Sequence, residues 1–202
     1  YLFIGEEGIG KKMLAIEFAK AILCTSENNK PCNICKSCVE FNTNNNANFN
    51  LINEEGSAIK IEQIRNMQVK IAEKPINSDY KVYLINDAEL MTQEAQNCLL
   101  KTLEEPPKHA IFILATTEKH KIIPTILSRC QIFDFKRITV KDAKEHLADV
   151  AESQGIQFED DALHIIAQKA DGAMRDALSI FDRVVSFCGT NLTRQAVTEN
   201  LN

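Results

Sequence analysis

Short, continuously apolar runs alternate with stretches in which apolar residues recur every three to four positions, and this alternation predicts buried strands separated by helices. Leu2, Phe3 and Ile4 form the first run, and "KMLAIEFAKAILC" follows with helical spacing. "FNTNNNANFN" is asparagine-rich and reads as a surface connection rather than a core element. "FNLIN" predicts a strand, and "IEQIRNMQVKIAEK" predicts a helix whose apolar face holds Ile61, Ile64, Met67 and Ile71. "KVYLIND" is apolar throughout and ends in an amide and an acid, the pattern of a buried parallel strand with polar groups at its C-terminal edge. The helix through "TQEAQNCLLKTLEE" is stopped by Pro106 and Pro107, and "AIFILATT" is another buried strand. From about Ile138 the pattern changes to three helical stretches: "TVKDAKEHLADVAESQG" with Thr139 as N-cap, "EDDALHIIAQKAD", and "AMRDALSIFDRVVSFCG". The expected architecture is a three-layer α/β domain with a parallel sheet over residues 1–137, followed by a small all-helical domain over 138–202. No internal repeat is visible at solenoid periods.

With 45% hydrophobic and 25% charged residues among 202, the chain has an ordinary globular composition, and no apolar run is long enough for a membrane helix. The net charge of −5 argues against a dominant basic nucleic-acid surface, so any DNA contact is weak or belongs to a larger assembly. The chain opens directly inside a strand with no signal-peptide pattern, which predicts a natural start further upstream. Of the seven cysteines, four crowd into one segment, an arrangement suited to a reducing cytoplasm and a metal site. Cys24, Cys32, Cys35 and Cys38 have the spacing C-x7-C-x2-C-x2-C, and short spacings let a tight turn present two sulfurs to tetrahedral zinc. "NNKPCNICKSC" is too polar for four ordinary buried thiols, and four thiolates leave no open coordination position, so the zinc is expected to be structural. Cys98, Cys130 and Cys188 are expected to be small buried hydrophobes.

"GEEGIGKK", Gly5 to Lys12, lies between the first strand and the first helix, the context that a phosphate-binding loop requires. Gly5, Gly8 and Gly10 let backbone N–H groups approach phosphates, and Lys11 supplies charge. The next position ordinarily carries a Ser or Thr hydroxyl for magnesium; here it is Lys12.

Together with "KVYLINDAELMTQEAQNCLLKTLEEPP", "FILATTEKHKIIPTILSRCQIFDF" and "DGAMRDALSIFDRV", the glycine loop and the four-cysteine insert resemble one family along nearly the whole chain. They are similar to the AAA+ subunits of the bacterial DNA polymerase III clamp loader. That resemblance implies an AAA+ P-loop domain with an inserted zinc module at 24–38 and a helical lid. It also implies a hetero-pentamer with other clamp-loader subunits that uses ATP to open a sliding clamp and place it on primed DNA, in the bacterial cytoplasm at the nucleoid. Family members usually add an N-terminal segment that contacts adenine and a C-terminal collar that holds the pentamer.

Two subunit types share this fold, the ATPase gamma/tau and the nearly inactive stator delta-prime. Lys11 matches the phosphate-binding lysine, whereas Lys12 replaces the magnesium-binding hydroxyl. Active members end the second-motif strand with Asp-Glu; here Asn86-Asp87 puts an amide at the magnesium-directed position and a shorter acid at the base position. These losses make magnesium binding doubtful and, with "SAIKIEQIR", resemble delta-prime. Thr116 or Thr117 matches the sensor of the γ-phosphate, Arg129 in "SRC" matches the arginine finger that reaches a neighbour, and Arg175 in "RDALS" matches the second sensor of gamma/tau. The chain thus resembles a stator to about Leu114 and an ATPase beyond it.

The expected subunit is delta-prime-like, with a gamma/tau ATPase as the alternative. Two other classes stay open: a stand-alone P-loop nucleotide or RNA kinase, which Lys12 and Asn86 oppose, and a zinc-stabilised scaffold that binds only proteins. Lys12 is either a solvated lysine beside an empty phosphate site or an ammonium standing where magnesium would be. Arg175 has a plainer reading as a surface residue paired with Asp176 or Asp171, and Arg129 as one half of a structural salt bridge. The runs Glu104-Glu105 and Glu159 to Asp161 are most simply helix-end charges.

Overall fold

In the computed structural model, which describes residues 1–201, β1 (Leu2–Ile4) leads into α1 (Lys11–Leu23), α2 (Lys36–Asn42), β2 (Phe49–Ile52), α3 (Ile61–Ala72) and β3 (Lys81–Ile85). Then follow α4 (Gln93–Glu104), β4 (Ala110–Thr116), α5 (Pro124–Leu127) and β5 (Ile132–Asp134). The remainder is α6 (Val140–Ser153), β6 (Gln157–Phe158), α7 (Asp160–Lys169), α8 (Met174–Cys188), β7 (Asn191–Leu192) and α9 (Arg194–Leu201). Two compact units result, residues 1–4 with 11–134, and residues 5–10 with 135–202.

The first unit holds a five-stranded parallel sheet in the order β2-β3-β4-β1-β5. Every residue of β3 is buried, because helices cover both faces of a parallel sheet and its strands need no polar side. One charge enters this strand: the Lys81 ammonium donates to the Lys70 carbonyl at 2.9 Å and pairs with Glu73 at 3.3 Å, which satisfies it where it is buried. On α3, Ile64, Met67 and Ile71 face inward at helical spacing and pack with Leu99 of α4 and with Tyr83, Ile85 and Leu114 of the sheet. Thr92 caps α4 by accepting from the Ala95 N–H at 3.3 Å.

The asparagine-rich stretch is more than a surface connection. Asn46 and Asn48 are buried, and Asn46 Nδ2 donates to the Ser37 carbonyl at 3.1 Å and the Ser37 hydroxyl at 3.0 Å. Asn48 donates to the Ile76 carbonyl at 2.6 Å and accepts the Ile76 N–H at 2.9 Å. An amide side chain carries both donor and acceptor, so it can satisfy irregular backbone that no strand neighbour reaches. Phe41 and Phe49, with ring centroids 4.6 Å apart, close the same region. The three isolated cysteines also differ from expectation: Cys98, Cys130 and Cys188 are half-buried, and Cys98 Sγ donates to Gln68 Oε1 at 3.4 Å.

In the second unit α6 buries Ala143, Leu147 and Ala151, α7 buries Leu163 and Ile166, and α8 buries Ala177, Phe181 and Val184. Thr139 caps α6 as its sequence predicts, accepting from the Asp142 N–H at 3.1 Å. β6, β7 and α9 are additions that no apolar period signalled. Gly172 has φ +82°, and a Cβ there would lie 2.7 Å from Arg137 Cβ and 2.9 Å from the Ile138 carbonyl oxygen. Gly172→Ala is therefore expected to destabilise this unit by roughly 2 kcal/mol or more, from the left-handed backbone and the crowding together. A denaturant midpoint unchanged from the parent would refute this.

Candidate functional site

The register sets the C-terminal ends of the strands level. Ile52 lies opposite Ile85, Ile85 opposite Leu114, and Ile4 opposite Thr116. The segments leaving β2, β3 and β4 therefore emerge at one edge, the place where open parallel sheets bind ligands. That edge collects Asn53 and Glu54 after β2, Asn86, Asp87 and Glu89 after β3, and Thr116 and Thr117 at the end of β4, with Lys11 and Lys12 opening α1.

The two positions at which the resemblance implies magnesium ligands carry an ammonium and an amide. Lys12 is exposed, and its ammonium donates to Asn53 Oδ1 at 3.4 Å. Asn86 is buried, and its amide nitrogen donates to Asp87 Oδ2 at 2.6 Å, which engages one oxygen of the carboxylate that follows it. Asp87 has φ 49° and ψ 52°, a left-handed turn that sharply redirects the chain after β3. Burial raises the Asp87 carboxyl above its usual range, the Glu89 and Glu54 carboxylates push it the same way, and Lys12 and Lys11 pull it down in part. Lysine at position 12 thus supplies charge to this edge, though its nearest partner is an amide and not a carboxylate.

Sequence reasoning missed Glu89. It accepts from the Thr117 N–H at 3.1 Å and from the Thr117 hydroxyl, so Thr117 is spent on a carboxylate while the buried Thr116 hydroxyl accepts from the Glu118 N–H at 3.1 Å. Burial would raise the Glu89 carboxyl, but hydrogen bonds led by the Thr117 hydroxyl outweigh it and hold it below the usual carboxylate range. Gln96 was missed as well. Nearly fully buried, it donates to the Lys121 carbonyl at 2.9 Å and accepts the Ile123 N–H at 2.9 Å, joining α4 to the segment between Thr117 and Arg129. The available signal was a polar residue on the apolar face of α4.

Arg129 stands after α5, with its guanidinium paired to Glu104 at 3.1 Å. Nη1 donates to the Thr125 carbonyl at 2.9 Å and the Ser128 hydroxyl at 3.4 Å.

Within the second unit, the glycine loop adopts the positive φ that its glycines allow, 77° at Gly8 and 93° at Gly10. The Gly8 carbonyl accepts the Arg175 N–H at 3.1 Å, and a Cβ on Gly8 would come within 3.0 Å of the Ala173 Cβ. The Arg175 side chain pairs with Glu7 at 2.8 Å, and not with Asp176 or Asp171 as its surface reading anticipated. Asp171 instead pairs with Arg137, which also binds Glu6. Glu6, Glu7, Arg137, Asp171 and Asp176 line a cavity of about 270 Å³. Two acids in the glycine loop thus occupy two arginines. The visible signal was "GEEG", two adjacent acids inside a glycine loop.

The cysteine segment forms a closed cluster. The sulfurs of Cys24, Cys32, Cys35 and Cys38 all lie within 4.8 Å of one another. Cys24 and Cys35 are 3.9 Å apart, close to the roughly 3.8 Å sulfur separation of a four-thiolate zinc tetrahedron. Backbone N–H groups of Cys32, Cys35 and Cys38 donate to the sulfurs of Cys24, Cys32 and Cys35 at 3.4, 3.3 and 3.4 Å, which favours thiolates. Burial alone would raise the Cys35 thiol, but hydrogen bonds from Thr25 and Cys38 bring it to about 5; burial and its neighbouring sulfurs push Cys38 up to about 12. Four such thiols cannot all ionise without a cation among them, and the donor set fits zinc.

A family model described as "DNA polymerase III, delta subunit" matches residues 1–139. The chain belongs to the clamp-loader subunits of bacterial DNA polymerase III. A second model, the ATPase lid domain of the DNA polymerase III clamp-loader subunit, matches residues 142–190 of this clamp-loader chain. It is 45% identical over 190 residues to DNA polymerase III subunit tau of Bacillus subtilis, covering 94% of this chain and 34% of that protein. It is 36% identical over 202 residues to subunit tau of Escherichia coli, covering 100% of this chain and 31% of that protein. The chain therefore spans about a third of the length of these relatives. Its fold is that of AAA+ proteins with a lid. The Thermotoga maritima RuvB structure matches with TM-score 0.70 and 17% identity, covering 99% of this chain and 60% of that one. A gamma-subunit-related protein of Thermotoga maritima matches with TM-score 0.57 and 21% identity, covering 99% and 65%.

Proposed function

We propose that this protein is a delta-prime-like subunit of the clamp loader, which uses ATP to load a sliding clamp onto primed DNA, and that its own ATP site hydrolyses poorly. The observation that carries this reading is the double loss at the metal position. Phosphoryl transfer depends on a magnesium ion held between a loop hydroxyl and a strand-end carboxylate. Here Lys12 reaches Asn53, and Asn86 bonds to the carboxylate beside it. Residues 1–137 are read as the nucleotide-binding domain, with Gly5, Gly8, Gly10 and Lys11 as its phosphate contacts and Thr116 and Thr117 at the γ-phosphate end. Residues 138–202 are read as the lid, which presents Arg175.

In this reading Arg129 acts on a neighbouring subunit's nucleotide, zinc holds the cysteine module, and DNA is met only through backbone phosphates in the assembled complex. Work in the cytoplasm fits; among the described residues no helix is long and apolar enough to cross a membrane. A phosphate arriving at Arg175 competes with Glu7, which engages one of the five N–H donors of the guanidinium. That pair is exposed, so it is worth at most about 1 kcal/mol, less than a tenfold change in affinity. The pair therefore weakens nucleotide binding without forbidding it.

The hydrolysing gamma/tau subunit is the second reading. It is favoured by the names of the curated relatives and by Arg175 in the lid. Equilibrium binding of a fluorescent ATP analogue with and without magnesium, run beside a phosphate-release assay, separates the two. Binding that is indifferent to magnesium and gives no turnover is the expected result. Magnesium-dependent binding with steady turnover would replace the stator reading by gamma/tau.

A further inference from the structure

We infer that Glu104 is a positioning residue for the Arg129 finger. The inference rests on the reading that Arg129 acts on a neighbouring subunit's nucleotide, and it assigns a role to an acid that the motif comparison leaves as a helix-end charge. Glu104 is the last residue of α4, immediately before the break made by Glu105, Pro106 and Pro107. A carboxylate at a helix C-terminus is opposed by the helix dipole, so helix stability does not explain its presence there. Its Oε1 accepts from Arg129 Nη2 at 3.1 Å.

The remaining contacts fix the plane of the guanidinium. Both bonds from Nη1, to the Thr125 carbonyl and the Ser128 hydroxyl, come from the turn that carries the arginine itself. Among the described residues, Glu104 is the anchor from a different element. Without it, the side chain is tethered only to its own turn and is free to swing with it. A guanidinium has five N–H donors, and these three bonds leave the second Nη2 hydrogen and Nε–H for an outside acceptor. With its side chain 35% exposed, Arg129 is held and still accessible, the arrangement suited to a group that must meet a phosphate on another chain.

The experiment is single-turnover ATP hydrolysis, with the ATP dependence of the rate, by a clamp loader reconstituted with Glu104→Ala, Glu104→Gln, Arg129→Ala, or Glu104→Ala with Arg129→Ala. Glu104→Ala is expected to lower the maximal rate of the affected site about tenfold and to leave KM within about twofold. Glu104→Gln should recover part of the loss, because the amide oxygen accepts the same N–H. Glu104→Ala should add nothing once Arg129 is alanine, the non-additivity of two groups acting as one unit. An unchanged or faster rate in Glu104→Ala, or a further loss on top of Arg129→Ala, would overturn the role of Glu104. If Arg129→Ala itself leaves hydrolysis unchanged, the trans action of Arg129 fails, and the positioning role fails with it. Slow hydrolysis in Arg129→Ala beside normal hydrolysis in Glu104→Ala removes only the positioning role.

Discussion

Arg129→Ala is expected to slow ATP hydrolysis at the neighbouring subunit's site in a reconstituted loader by on the order of 10³-fold, the lower end of what an arginine finger supplies. The same change should leave the protein's melting temperature within about 4 °C of the parent. The two halves of this expectation come from different terms. In the transition state of phosphoryl transfer, a guanidinium faces charge spread over the phosphoryl oxygens in a site shielded from water, where its contribution is large. In the resting chain the same group makes an ion pair with Glu104 on a surface where both partners are partly exposed, and such pairs contribute at most about 1 kcal/mol to stability. Phosphate release at single turnover, with melting followed in parallel, reads both. A large fall in melting temperature would point to a structural salt bridge, and an unchanged rate would remove the trans role.

Loss of the metal should act in the opposite way, on stability first. Metal analysis is expected to give one zinc per chain, and Cys38→Ser should abolish it, since Cys38 is fully buried within the cluster. The cost is expected at the upper end of ordinary point mutations, about 3 kcal/mol, because the metal-binding free energy of a closed thiolate site is folding free energy of the segment it closes. For a chain of this size that corresponds to a fall of roughly 6 to 12 °C in melting temperature. The damage should spread beyond the ligands. Ser37, beside Cys38, donates to the Leu23 carbonyl at 2.7 Å and receives Asn46, so the cluster fastens both the end of α1 and the approach to β2. A protein that contains no zinc and melts at the same temperature as Cys38→Ser would refute the assignment.

The strands and long helices were legible because each satisfies one local rule. β3 and β4 are continuous apolar runs, α3 and α4 have a 3.6-residue stripe ending at a proline or a cap, and Thr139 is a capping hydroxyl before an apolar period. β5 and α2 were not legible, since three exposed residues and a seven-residue helix carry too little periodicity to stand out. The site shows the same division. The identity of Lys12 and Asn86 is a statement about chemistry at a motif position, and the sequence contains it. The partners of Arg175, Arg129 and Thr117 are Glu7, Glu104 and Glu89, each far away in the chain. Nothing local selects one acid over another among many, so tertiary placement decides those pairings.

The order of strands in the sheet has a consequence for the way the chain is made. β1 leaves the ribosome before β2, β3, β4 and β5, yet both of its neighbours are late: Leu2 pairs with Leu114 on one side and with Ile132 on the other. Its apolar Leu2, Phe3 and Ile4 must therefore wait, without their strand partners, through synthesis of the cysteine module, α3, β3 and α4. At about 5 to 20 residues per second that wait lasts on the order of ten seconds, long enough for a nascent chain to need protection from aggregation.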